Sequence, residues 1–265
     1  MAVPVTATVI TFNEAANIQA ALESLSWADE IVVVDSESTD DTAAIARRFT
    51  ERVIVQRWPG YVAQKNFAAA QASHDWIFSL DADERVSPAL AAEVQRVATS
   101  PRAAGYRVPR VTYHLGRWIR STDWYPDYQL RLYDRRRARW AGRYVHESVR
   151  ADGGVEDLRG ELLHYAYRDL SHHLQTMDRY TTLAARQMFE EGRRAGWVDL
   201  AVHPPAAFVR NYVLRGGFRD GVPGLIVSAM NARYVGLKFA KLWELCSPST
   251  STPRGPGAGD SNKSS

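Results

Sequence analysis

Residues 75–84 read DWIFSLDADE, an apolar run of strand type that stops at three acids within four residues. Trp76, Ile77, Phe78 and Leu80 suit a strand covered on both faces, because strands of parallel sheets are buried on both sides and read as near-continuous apolar runs. Asp81, Asp83 and Glu84 must then be hydrated, paired or metal-bound, since an isolated carboxylate is costly to bury. The run is expected to be a central strand whose acids lie at its C-terminal mouth, the edge where open α/β sheets bind ligands. Two carboxylates one residue apart in a turn can hold a divalent cation that also touches phosphate oxygens. Taken alone, an Asp-x-Asp pair is more often an acidic turn, here before a helix with Ser87 as N-cap and Pro88 as first residue. The preceding segments reverse that preference.

Residues 3–11 form a β-branched run that ends at Phe12, Asn13 and Glu14, after which Ile18, Leu22 and Leu25 recur at helical spacing. Asn13 is placed to cap that helix. The turn lacks the G-x-G-x-x-G that brings backbone against a dinucleotide, which argues against a nicotinamide site. A second strand over 30–34 delivers Asp35 and the polar turn SESTDD, where Thr39 or Asp40 caps a helix through Phe49. Residues 53–55 make a third strand, and the turn at Trp58, Pro59 and Gly60 leads into a helix carrying Gln64, Lys65 and Asn66. Strands alternating with helices at this spacing predict a parallel sheet with right-handed crossovers, which gathers residues 11–14, Asp35 and residues 81–84 on one edge.

The 265 residues are enough for a large α/β domain with an appendage. The net charge of +3 hides an asymmetry: residues 1–100 carry seven Lys and Arg against fourteen Asp and Glu, the remainder 26 against 16. An acidic half able to hold a metal is followed by a basic half able to hold phosphates or an anionic surface. One cysteine, Cys246, excludes an internal disulfide. The first residues lack the basic segment of a signal peptide, and no run approaches the roughly 20 apolar residues of a membrane span, so a cytoplasmic protein is expected. Residues 247–265 are rich in Ser, Pro and Gly and are expected to be a disordered tail.

VITFNEAANI, VVVDSESTDDT, QKNFAAAQA and DWIFSLDADE, in this order and spacing, resemble the family 2 glycosyltransferases of GT-A fold. The resemblance implies a Rossmann-like, mixed and mainly parallel sheet flanked by helices. It implies that Phe12, Asn13, Glu14 and Asp35 contact the nucleoside of a sugar nucleotide, with Thr11, Ser36 and Ala82 completing the donor site. Lys65 and Asp81 would meet its ribose or phosphates, and Asp83 a divalent cation, Mg2+ or Mn2+.

In the second half, residues 104–114 read as a strand, and residues 128–133 alternate as another. Asp127 stands at that strand's entrance beside Trp124, Tyr125 and Tyr128, aromatics able to stack on a sugar face. An acceptor hydroxyl needs a carboxylate to take its proton, and Asp127 is the candidate base, with Glu147 as its competitor. In the family's usual pattern a Glu precedes this Asp; here Pro126 replaces it, while Leu130 and Arg131 remain. His146 resembles the C-terminal histidine that completes the metal site, with His164 as the alternative. Arg135, Arg136, Arg137, Arg139 and Arg143 read either as a solvated turn or as a phosphate site; no nucleic-acid motif accompanies them, so nucleic acid is not an expected partner.

A long helix is expected over 168–194, with Leu174, Met177, Tyr180 or Thr181, and Ala184 on its buried face. Residues 204–245 mix apolar and basic groups in the manner of amphipathic helices on anionic membranes, and resemble the C-terminal region of the lipopolysaccharide-core β-glucosyltransferase branch. The organisation read from the chain is a catalytic domain over 1–165, its nucleotide-sugar half ending near residue 100 and its acceptor and metal-completing half following, then a helical, basic extension over 166–246. Inverting transfer of a hexose from a nucleotide sugar, UDP-glucose, to a glycolipid such as the lipopolysaccharide inner core is implied. The enzyme would sit peripherally on the cytoplasmic face of the inner membrane. A capsule or polyprenyl-phosphate glycosyltransferase and a non-catalytic nucleotide-sugar-binding scaffold are the alternatives.

Overall fold

The computed structural model describes residues 2–142 and 147–247. Its first part alternates as the sequence predicts: β1 (Val5–Thr11), α1 (Ile18–Glu23), β2 (Glu30–Asp35), α2 (Thr42–Ala46), β3 (Val53–Val55), α3 (Tyr61–Ala70) and β4 (Trp76–Asp81). Strands β3, β2, β1 and β4 lie side by side and parallel. Thr11 pairs with Asp35, and Ile10 with Asp81, so the three polar strand ends share one edge. Val9, Phe78, Leu80, Ile18 and Leu22 are buried between this sheet and its helices.

The chain then adds β5 (Glu84–Val86), α4 (Pro88–Ala98), β6 (Gly105–His114), β7 (Arg117–Ile119), β8 (Asp127–Asp134), β9 (Ala138–Ala141), β10 (Ser148–Ala151), β11 (Val155–Asp157) and β12 (Leu162–His164). Strand β8 runs antiparallel between β4 and β6, while β12 lies parallel to β6 and antiparallel to β5. The sheet is mixed, mainly parallel and flanked by helices, as the resemblance implies. Helix α4 begins as predicted: Ser87 Oγ accepts from the Leu90 amide at 3.2 Å, and Pro88 occupies the first helical position.

One capping expectation fails and a second is met in part. Helix α1 starts at Ile18, and Asn13 instead takes a left-handed backbone (φ 53°) whose side-chain oxygen accepts from the Thr39 amide at 2.8 Å. The Asn13 side chain thus clips two loops together, which a short polar side chain tolerant of that conformation can do. Helix α2 ends at Ala46 rather than Phe49, and Asp40 Oδ1 accepts from the amide of Thr42, its first residue, at 3.0 Å.

Four helices follow the sheet: α5 (Leu170–Glu190), α6 (Trp197–Ala201), α7 (His203–Val209) and α8 (Gly221–Cys246). Asp169 Oδ1 caps α5 by accepting from the His172 amide at 2.7 Å. Met177, Thr181 and Ala184 are buried on α5 as predicted, but His173 takes the place expected of Leu174, which is exposed. Ala185 and Met188 of α5 pack on Phe239 and Leu242 of α8. The RGGFRDGVPG turn into α8 is so close that a Cβ on Gly224 would lie 1.9 Å from the Gly217 carbonyl oxygen. Asp220 ties this turn to the sheet, accepting from the Arg120 amide at 3.0 Å and the Ser121 hydroxyl at 2.5 Å. No helix among the described residues is long and apolar enough to cross a membrane. The tail expected to be disordered lies, from residue 248 on, outside the described residues.

Candidate active site

The loops after β1 and β2 build one wall of the mouth. Phe12 is 56 % exposed there, an apolar ring left uncovered at a polar edge. Asp35 is buried and committed to its own turn: Oδ2 accepts from the Ser38 amide at 2.9 Å and Oδ1 from the Ser38 hydroxyl at 2.5 Å. Ser36 Oγ accepts from Gln64 at 3.1 Å, and the buried Thr11 hydroxyl has no partner among the described residues. Burial raises the Glu14 carboxyl against the lowering effect of its hydrogen bond from Asn17 at 2.8 Å. Thr11, Phe12, Asn13, Glu14, Asp35 and Ser36 are thus brought together, with both Asp35 oxygens accepting from Ser38.

Beneath the mouth runs a chain of seven alternating charges. Glu147 Oε1 lies 3.8 Å from Lys65 Nζ, which lies 3.0 Å from Asp81 Oδ1. Arg131 Nη2 donates to Asp81 at 2.9 Å and to Glu84 at 2.6 Å. Arg110 then joins Glu84 at 3.2 Å to Asp127, which accepts from it at 2.6 and 2.9 Å. Lys65, Arg131 and Glu84 are buried, so each survives there only because it is paired on both sides. Burial alone would raise the Asp81 carboxyl, but Lys65 and Arg131 hold it far below the usual carboxylate range. The sequence suggested that all three acids of DWIFSLDADE face the mouth; Glu84 instead turns inward, fully buried against the two arginines. The signal in the sequence is Arg110 between Pro109 and Val111 and Arg131 between Leu130 and Leu132, basic residues with apolar neighbours on both sides.

Asp83, like Asp81, stays partly exposed at the mouth, but it has no Lys or Arg partner within ion-pair distance among the described residues. Its Oδ2 lies 3.4 Å from His164 Nε2, while His164 Nδ1 lies 3.2 Å from the Thr112 hydroxyl, which orients the ring. Burial would raise the Asp83 carboxyl, yet His164 keeps it below its ordinary value. A hard carboxylate and an imidazole whose rear nitrogen is already engaged fit a divalent cation that takes its other ligands from a diphosphate and water. Among the described residues no third His, Cys, Asp or Glu joins them. His146 lies outside the described residues.

The two candidate bases stand at opposite ends of the charge chain. Asp127 also accepts from Gln129 at 2.7 Å. The second oxygen of Glu147 is buried with no partner among the described residues. Of the three aromatics beside Asp127, Trp124 borders a cavity with Tyr167, Tyr125 donates its hydroxyl to Glu161 at 2.8 Å, and Tyr128 lies by Arg107. Two members of the arginine cluster lie away from this mouth: because Trp76 pairs with Asp134, Arg135 and Arg136 sit at the opposite end of β4, bonded to Ala69, Ala72, Asp75 and Asp134. Arg143 lies outside the described residues.

Residues 6–152 match glycosyl transferase family 2. The lipopolysaccharide core biosynthesis glycosyltransferase LpsC of Rhizobium meliloti is 35% identical over 249 residues, 91% of this chain and 92% of that protein. An uncharacterized glycosyltransferase of Rickettsia bellii is 31% identical over 263 residues, 93% of this chain and 89% of its own. In fold, the mannosyltransferase PcManGT of Pyrobaculum calidifontis, solved with GDP-Man and Mn2+, superposes with a TM-score of 0.55 at 17% identity, covering 92% of this chain and 88% of its own. With its polar strand ends gathered on one edge of a GT-A sheet and its relatives matched along almost their whole length, the chain belongs to glycosyl transferase family 2 and is a glycosyltransferase.

Proposed function

We propose that the protein transfers a hexose, glucose from UDP-glucose, to a membrane glycolipid of the lipopolysaccharide core, with inversion at the anomeric carbon. The observation that carries this reading is the placement of two differently prepared carboxylates at one mouth: Asp83 with His164, and Asp127 held by Arg110. LpsC, whose name places it in lipopolysaccharide core biosynthesis, supports the acceptor class.

Phe12 offers a face to the nucleoside base, and Asn13 and Asp35 keep the two loops around it in register. Lys65 and Asp81 stand where ribose or phosphate would lie. Asp83 and His164 would hold a divalent cation, which when bound offsets the charge of the departing diphosphate. Asp127 takes the proton of the acceptor hydroxyl as its oxygen bonds to the anomeric carbon; the carbon–oxygen bond to the diphosphate breaks, and that oxygen leaves with the electron pair. Arg110 fixes the Asp127 carboxylate in orientation.

Association with the cytoplasmic face of the inner membrane is part of the proposal. The segment joining α7 to α8 and the first turn of α8 leave Val213, Leu214, Phe218 and Val222 exposed, Leu214 by 76 %, with Arg215 and Arg219 among them. Apolar tips set among cations suit an anionic interface. The test of the donor is a thermal-shift panel of nucleotide sugars with and without Mn2+, since a ligand bound only by the folded state raises its stability. UDP-glucose with Mn2+ should give the largest shift, and release of UDP without acceptor should accompany it. A shift with a nucleotide sugar but no release of the nucleoside diphosphate, with or without acceptor, would overturn the catalytic reading in favour of the nucleotide-sugar-binding scaffold.

A further inference from the structure

Beside the candidate active site, a cavity of about 300 Å3 opens between α5, α8 and the segment that follows β12. That volume is at the lower end of the roughly 300–1,000 Å3 of small-molecule sites and suits a single small ring. Its walls are the rings of Trp124, Tyr167, Tyr180 and Tyr234. The walls are fixed in advance: Tyr167 stacks on His173 with ring centroids 4.1 Å apart, and Trp124 Nε1 donates to Asn231 Oδ1 at 3.2 Å. Asn231 in turn donates to Asn211 at 2.9 Å, and Asn211 accepts from the Asp123 amide at 2.7 Å. By contrast, the Tyr167 and Tyr234 hydroxyls have no hydrogen-bond partner among the described residues.

The lining carries no Asp, Glu, Lys or Arg. Its one ionisable base, His173, is lowered to about 4, by burial first and then by His114 and His172, and so is uncharged at neutral pH. Aromatic faces with unsatisfied hydroxyls and no countercharge match an uncharged pyranose, whose C–H faces stack and whose hydroxyls take up the free bonds. A phosphate or carboxylate would lose its hydration there without compensation. The position selects which sugar this is. The nucleoside loops lie over β1 and β2, whereas the cavity lies past β6 and β12, with Tyr167 near enough to Arg110 and Asp83 to feel both charges. A ring in this cavity therefore lies beside the arginine that clamps Asp127, on the side away from the nucleoside.

We propose that this cavity holds an uncharged pyranose of the acceptor, and that α5 and α8 thereby choose the acceptor. The proposal rests on the glycosyltransferase reading of the neighbouring mouth. The test is saturation-transfer NMR on the full chain with UDP and Mn2+ present. Methyl β-glucopyranoside and methyl α-mannopyranoside serve as neutral probes, and glucose 6-phosphate and methyl glucuronide as charged ones. At least one neutral glycoside should bind with a Kd on the order of 1–10 mM, as suits a ligand with few contacts, and the charged ones should not. Tyr234→Phe, which removes only a hydroxyl, should weaken binding about threefold to tenfold. Met230→Trp, which fills the cavity, should abolish it. Undiminished binding in both variants, no binding to the parent, preference for a charged probe, or displacement of the glycoside by UDP-glucose would each overturn the assignment, the last because it would make the cavity a donor-sugar site. Binding of UDP to the parent is recorded in the same samples; its loss would count against the glycosyltransferase reading, and glycoside results are interpreted only where UDP binds.

Discussion

Arg110 grips the Asp127 carboxylate through two hydrogen bonds, at 2.6 and 2.9 Å, and so couples the candidate base to Glu84 in the interior of the sheet. A carboxylate held this way is well oriented. Asp127→Asn keeps its shape and cannot take a proton, so kcat should fall by about 10² to 10⁴ while UDP affinity is kept. Glu147→Gln, at the far end of the charge chain, should cost less than about tenfold. Steady-state kinetics on both variants decide the matter; if the larger loss falls on Glu147→Gln, the two residues exchange roles.

Thr112 supplies a sharper test of the Asp83 and His164 pair than removing either ligand. Its hydroxyl meets His164 Nδ1 at 3.2 Å and touches no proposed ligand of the cation directly other than through that ring. Thr112→Val should weaken Mn2+-dependent UDP binding by about tenfold to a hundredfold, the usual cost of losing an outer-shell partner. Asp83→Ala should remove the metal dependence altogether. Calorimetric titration of UDP with and without Mn2+ reads both, and a Thr112→Val protein with parental Mn2+ dependence would detach His164 from the metal.

The strand ends were legible because chemistry changes abruptly there: Asn13, Asp35 and Asp81 each end an apolar run, and hydrophobic periodicity locates such breaks well. The partners were not legible. Arg110 and Arg131 join Asp81, Glu84 and Asp127 across separations of 17 to 50 residues, and only the pairing of β8 between β4 and β6 brings them together. The same holds for Trp124 and Asn231, which meet over 107 residues. Spacing along a chain encodes the period of an element, not which element packs beside it.

Acidification should destabilise the packing of α5. His173 is lowered to about 4 by burial and by its histidine neighbours, and His114 is lowered by burial. A histidine that holds its proton less tightly when folded stabilises the protein above its ordinary value of 6.5, and that contribution drains away as pH falls from 6.5 towards 4. For His173 the loss should reach about 2 kcal/mol at pH 5, from about 1.4 kcal/mol per pH unit. Urea unfolding at pH 7.5 and pH 5 measures it, and His173→Gln should flatten the difference; an equal slope in the variant would refute the assignment to His173.

Membrane attachment should depend on the turn into α8 rather than on the basic residues further along that helix. Lys241 is already committed, donating to Asp178 at 2.7 Å and to Thr182 at 2.8 Å, and Lys238 is half-buried against Tyr234 and Phe239. Leu214→Ser with Phe218→Ser should reduce flotation on anionic vesicles at least about tenfold at any salt, since each large apolar side chain contributes about 1.5–3 kcal/mol when buried. Arg215→Glu with Arg219→Glu should weaken flotation only at low salt. If both pairs float like the parent, the turn does not dock on lipid.

The charge chain also bears on how the polypeptide acquires its form during synthesis. Strand β8 occupies the centre of the sheet yet is made after the strands on both of its flanks, β4 and β6. Until Arg131 emerges, Asp81 has only Lys65 and Glu84 only Arg110 as countercharge, nothing bridges the two acids, and the apolar edge of β4 has no neighbour on that side. The acidic first hundred residues and the basic remainder are therefore two interlocking parts of a single cooperative unit. A nascent chain halted before residue 131 would expose an unfinished sheet edge, and the mouth is complete only once His164 of β12 has followed.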